Sequence, residues 1–99
     1  MKSLYERLRE TEHTASDRRK MAAACSDPRT RHEIEVSALA AEKEAATISE
    51  IIAGVESLVM TARTFISALR GTFPSANITL ALRHAEDAES RLIRELGQP

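Results

Sequence analysis

Residues 34–73 read IEVSALAAEKEAATISEIIAGVESLVMTARTFISALRGTF. Apolar side chains recur there at Ile34, Ala38, Ala41, Ala45, Ile48, Ile52, Val55, Val59, Ala62, Ile66, Leu69 and Phe73. Alternating steps of four and three residues are the a/d pattern of a helix with one long buried seam. A helix of ~40 residues is ~60 Å long at 1.5 Å per residue. Such a rod cannot hide its seam inside a compact chain of 99 residues. The pattern therefore predicts helices folded along it and further cover from other copies of the chain.

Both flanks carry helix punctuation. Ser3-Leu4-Tyr5-Glu6 is a capping box, and Leu4, Leu8, Thr11, Ala15 and Ala22 follow at helical spacing. Ser26-Asp27-Pro28 ends that helix and opens the next, with Asp27 as N-cap and Pro28 in the first turn. Thr30 to Glu33 offers a second capping box one turn later. Gly71 suits a left-handed C-cap, and Pro74 stops the chain from continuing as helix. Ser75 or Asn77 can cap a third helix carrying Ala81, Leu82, Ala85, Ala88, Leu92 and Leu96. The expected architecture is all-α. Helices over about 4–24, 28–70 and 76–96 form one helical unit, with the two shorter ones packed along the long central one in a bundle oligomer. Gly54 permits either a kink or an uninterrupted helix. From Ile48 onward, Ile51, Leu58 and Phe65 add a third apolar row, which suits several neighbours.

Composition fits this reading. Aromatics are limited to Tyr5, Phe65 and Phe73, while charged residues make up 29% of the chain. Alanine-rich, aromatic-poor chains suit helices better than a β-core. Net charge is −1, which argues against a nucleic-acid polymer as partner. Cys25 stands alone, so no disulfide framework or cysteine metal site is expected. The N-terminal MKSLYERLRE has no apolar leader core, and no unbroken run approaches 18 apolar residues. These features lead to the expectation of a cytoplasmic protein without membrane contact.

Catalytic groups are not apparent. His13, His32 and His84 are scattered, Glu86 and Asp87 are adjacent and diverge on a helix, and no glycine-rich phosphate loop is present. The expectation is a protein without catalysis, metal or cofactor. Two regions combine a helix N-terminus with basic and hydroxyl side chains, a combination that suits phosphate. One is the 71–79 turn, with Thr72, Ser75, Asn77 and Thr79 flanked by Arg70 and Arg83. The other is the start of the long helix at Arg29 and Arg31, beside Arg18-Arg19-Lys20. Tyr5, the only tyrosine, can stack on a base if it faces a groove between subunits.

The C-terminal half resembles the hairpin domain of phage anti-CBASS and anti-Thoeris signal sponges. The matching pieces are Phe65, Phe73-Pro74-Ser75, Leu80-Ala81-Leu82 and Glu86-Asp87-Ala88, within about residues 59–96. The family's turn often carries an Arg-Glu pair after the proline. This chain has Asn77-Ile78 there, with one residue fewer between Pro74 and Ala81. The resemblance implies a non-catalytic phage protein that oligomerises and sequesters a cyclic nucleotide signal in the host cytoplasm. The signals implied are cyclic di- or trinucleotides and cyclic ADP-ribose derivatives. Two alternatives come from the residues themselves. One is a coiled-coil structural or regulatory module that binds a protein partner, and the other is a small tRNA- or DNA-binding regulator.

Overall fold

The computed structural model describes residues 1–99 and contains three α-helices and no strands. They are α1 (Leu4–Ala24), α2 (Pro28–Arg70) and α3 (Ala76–Leu96). Ser3 caps α1, its hydroxyl accepting from the Glu6 N–H at 3.3 Å. Asp27 caps α2 and Pro28 opens it. The Asp27 carboxylate accepts from both the N–H and the hydroxyl of Thr30, so Thr30 braces the first cap and does not start a second one. Those bonds hold the Asp27 carboxyl below its ordinary pKa, the hydroxyl bond being the larger cause. Ser75, not Asn77, caps α3.

α2 is the spine. α1 lies along its N-terminal half and α3 along its C-terminal half, both on the a/d seam, so the molecule measures 71 × 19 × 14 Å. The helix runs through Gly54 without interruption. In the N-terminal half the buried residues are all alanine: Ala15 and Ala22 from α1, Ala38 and Ala41 from α2. Small side chains on both partners allow close helix approach. The largest apolar cluster lies at mid-rod, where Leu4 and Leu96 meet Ile48, Ile52 and Val59. There the start of α1 and the end of α3 converge. Gly97, at φ 79°, ends α3 against Ser3, and Arg9 donates to the Gln98 carbonyl at 2.9 Å.

Three sequence expectations change. Gly71 is not left-handed: it sits at φ −84°, ψ −2°, and α2 ends by tightening, with the Gly71 N–H donating to the Ser67 carbonyl at 3.2 Å and the Thr72 N–H to the Leu69 carbonyl at 3.1 Å. Phe73 leaves the seam, because the helix stops before it and the ring is 89% exposed. Ala88 is exposed, and half-buried Glu89 falls in the row facing α2 because it answers Arg63 at 3.5 Å.

Only 11 of 99 residues are buried, so the core of one copy is thin. A compact protein of 10.9 kDa exposes ~5,600 Å², whereas this rod exposes 7252 Å². Its radius of gyration is 20.8 Å, against ~12.6 Å for a globule of this length.

Candidate functional site

The nine residues singled out from the sequence do not form one site. They fall at the two ends and the middle of the rod. At the α2–α3 end, Arg70 faces Glu86 at 3.7 Å and Arg63 faces Glu89 at 3.5 Å across the two helices. Together with Ile66, Ser67 and Ser90 they line an open cleft of about 280 Å³. Two guanidinium groups and two carboxylates balance one another there, so an incoming anion has to displace a carboxylate. The Thr72 hydroxyl donates to the Ala68 carbonyl at 2.8 Å, and the Ser75 hydroxyl accepts from the Ile78 N–H at 3.2 Å. Both hydroxyls therefore serve the turn itself. Asn77, Thr79 and Arg83 are exposed, and Arg83 has no ion pair. The N–H groups of Ala76 and Asn77 remain without a partner in the chain. The part of this end available to an anion is thus Asn77, Thr79, Arg83 and two backbone donors.

The α1–α2 end is largely self-satisfied. Arg31 donates through Nε and Nη2 to the Cys25 carbonyl at 2.9 and 2.5 Å, closing the C-terminal end of α1. Arg18 donates to the Ser37 carbonyl at 3.3 Å, and Arg19 to Glu42 at 2.5 Å. That last bond raises the Arg19 pKa and lowers that of Glu42. Arg29 extends into solvent with only a loose contact to Glu33 at 3.9 Å. Sequence reasoning grouped these cations as a phosphate patch; most of them tie α1 to α2.

Tyr5 is half-buried against the mid-rod cluster and is not at either basic end. Burial, and then the neighbouring Glu56 carboxylate, raise its phenol pKa above 10.0. Its ring packs as a core-edge residue within one chain.

The outer side of α2 carries a different kind of surface. Ile51, Leu58 and Phe65, 48%, 54% and 53% exposed, stand in one row on this helix. Beside Phe65 lies a shallow groove of about 520 Å³ formed with Ser57, Met60, Thr61, Thr64 and Ala68. The row was visible in the sequence; its remaining uncovered after α1 and α3 have docked was not. α2 also contains an 18-residue window of mean hydropathy 1.4 with at most two charged residues, of which 22% is buried. By length and composition alone that helix is apolar enough to cross a membrane, a test that the core helix of a soluble protein also passes.

No three His, Cys, Asp or Glu side chains gather at metal-binding spacing. The chain matches no protein-family model, no curated protein and no solved structure.

Proposed function

We propose that this protein is a non-catalytic binding protein that works as a homo-oligomer and sequesters a cyclic nucleotide. The observation that carries the reading is the α2–α3 hairpin. Its turn presents two polar side chains and two free backbone N–H groups on one exposed helix start, with the unpaired Arg83 two turns further along α3. Guanidinium and helix-start N–H groups are the donors that phosphodiesters accept. The resemblance of this same hairpin to the signal sponges supports the ligand class. The open form of the site in one copy fits a pocket completed by a second chain, with the ligand buried between copies. A second reading, a module that docks another protein along its coiled-coil face, is favoured by the exposed row of Ile51, Leu58 and Phe65.

Calorimetry with cyclic di- and trinucleotides and cyclic ADP-ribose tests the first reading. Arg83→Ala is expected to weaken binding by ~1.5–3 kcal/mol, the range for a charge-assisted hydrogen bond. Arg94→Ala, about three turns further along α3, is expected to leave it unchanged. Ligand released by denaturation should be recovered intact. Conversion to a linear product overturns the non-catalytic reading, and no binding of any of these nucleotides leaves the protein-docking reading in its place.

A further inference from the structure

The outer face of α2 carries a second repeat of alternating four- and three-residue steps, distinct from the buried seam. It runs Ile51, Gly54, Leu58, Thr61, Phe65, Ala68. Large and small residues alternate strictly along it. All six are exposed in one copy. Across the same stretch the charged residues are Glu50, Glu56, Arg63 and Arg70. Arg63 and Arg70 are engaged by Glu89 and Glu86 on α3, and Glu56 lies beside Tyr5 on α1. The large–small row is therefore left with Glu50 as its one charged neighbour.

Gly54 supplies an independent observation. It sits in the middle of a 43-residue helix, where glycine is a poor helix former. A Cβ built on it meets nothing within 4 Å, and the helix continues through it uninterrupted. Nothing inside one copy explains a missing side chain at this position.

We infer that this row is the contact between two copies of the chain, paired antiparallel about a two-fold axis near Val59 and Met60. In that register Phe65 of one copy lies over Gly54 of the other, Leu58 over Thr61, and Ile51 over Ala68. Each large side chain enters a gap left by a small one, the knobs-into-holes condition, and the largest meets the smallest. A two-fold axis satisfies every pairing twice with one surface. Slipping one copy by a heptad in one direction brings Glu44 against Ala68, and in the other leaves Ile51 without a helical partner. A parallel pairing in register sets Phe65 against Phe65 and wastes the gap at Gly54. The area is sufficient. The two copies of α2 overlap over ~22 residues, a strip ~33 Å long and half a helix circumference wide. That amounts to on the order of 1,000 Å² in total, the threshold for a specific pair. It also falls within the excess of the exposed 7252 Å² over a compact chain's ~5,600 Å².

This inference deepens the self-association in the proposed function and is independent of the nucleotide. The test uses the full chain with Cys25→Ser as background. Ile51→Cys and Ala68→Cys are prepared separately, then mixed and oxidised. The antiparallel register predicts a disulfide-linked dimer only in the mixture, because like positions lie ~25 Å apart. Linkage of either variant to itself, or no linkage in the mixture, overturns the register. Gly54→Leu faces open space within one copy, so circular dichroism should show helicity retained. Light scattering should show dimer association weakened by about tenfold or more, as overpacking at a contact demands. A Gly54→Leu dimer as tight as wild type overturns the proposal. So does a monomer that sediments with phosphatidylcholine vesicles, which would assign the apolar face to lipid. Calorimetry with cyclic nucleotides reads the proposed function separately from each of these outcomes.

Discussion

Tyr5 is the one tyrosine in a chain without tryptophan, so its phenol reports the middle of the rod without interference. Burial is the larger reason its pKa lies above 10.0, and Glu56 the smaller. Absorbance titration should therefore give a midpoint above that value in the wild type. Glu56→Gln should lower the midpoint without returning it to the ordinary value. The linkage has a fixed sign. The unfolded phenol ionises first, so stability is full below pH ~10 and falls as pH rises through the folded pKa. A wild-type midpoint at or below the ordinary value would remove Tyr5 from the mid-rod packing. Sequence could place Tyr5 on an amphipathic face but could not say which element covered it. The same limit applies to Arg31. Its charge was legible, whereas its bonds to the Cys25 carbonyl depend on how the chain turns at Ser26 and Asp27.

Helix starts were legible because capping chemistry is local. Ser3, Asp27 and Ser75 each accept from an N–H three residues on. Helix ends were less so. Glycine at position 71 signals the stop, but the bond pattern that closes α2 is a right-handed tightening, and the left-handed glycine is Gly97. Gly97 is also the tighter constraint, since a Cβ there collides with Ser3, the residue that caps α1. The two terminal elements thus secure each other. Gly97→Ala combines a left-handed backbone with that collision and should destabilise the fold by more than ~1 kcal/mol, the scale for alanine at positive φ. Gly71→Ala, at negative φ and with only ordinary contacts to the Ser67 and Ala68 carbonyls, is the control. Chemical denaturation monitored by circular dichroism compares the two. Equal midpoints would show that the α3–α1 junction contributes little.

At the scale of the whole molecule, the a/d periodicity from Ile34 to Leu69 was enough to read a spine needing two covers, because period and length are properties of the string. Which faces stay bare is not such a property. It depends on α1 and α3 both choosing the same seam, leaving Ile51, Leu58 and Phe65 uncovered. For the same reason the 71–79 turn, the Arg29 and Arg31 helix start and Tyr5 lie apart along a 71 Å rod. If copies pair as proposed, a chain with 11 buried residues gains stability from that association by mass action. The thermal midpoint of the wild type should therefore rise with protein concentration across the micromolar range. Leu58 is exposed in one copy, and in the proposed dimer Leu58→Asp would place a charge at the centre of the contact. It should lower the midpoint and abolish its dependence on concentration, while the monomer keeps its helices. Ile52→Asp buries a charge within one copy and should unfold the chain at every concentration. Differential scanning calorimetry at a tenfold range of concentrations separates these cases. A wild-type midpoint that does not move would mean that one copy of this rod is stable alone and that its apolar face has a different occupant.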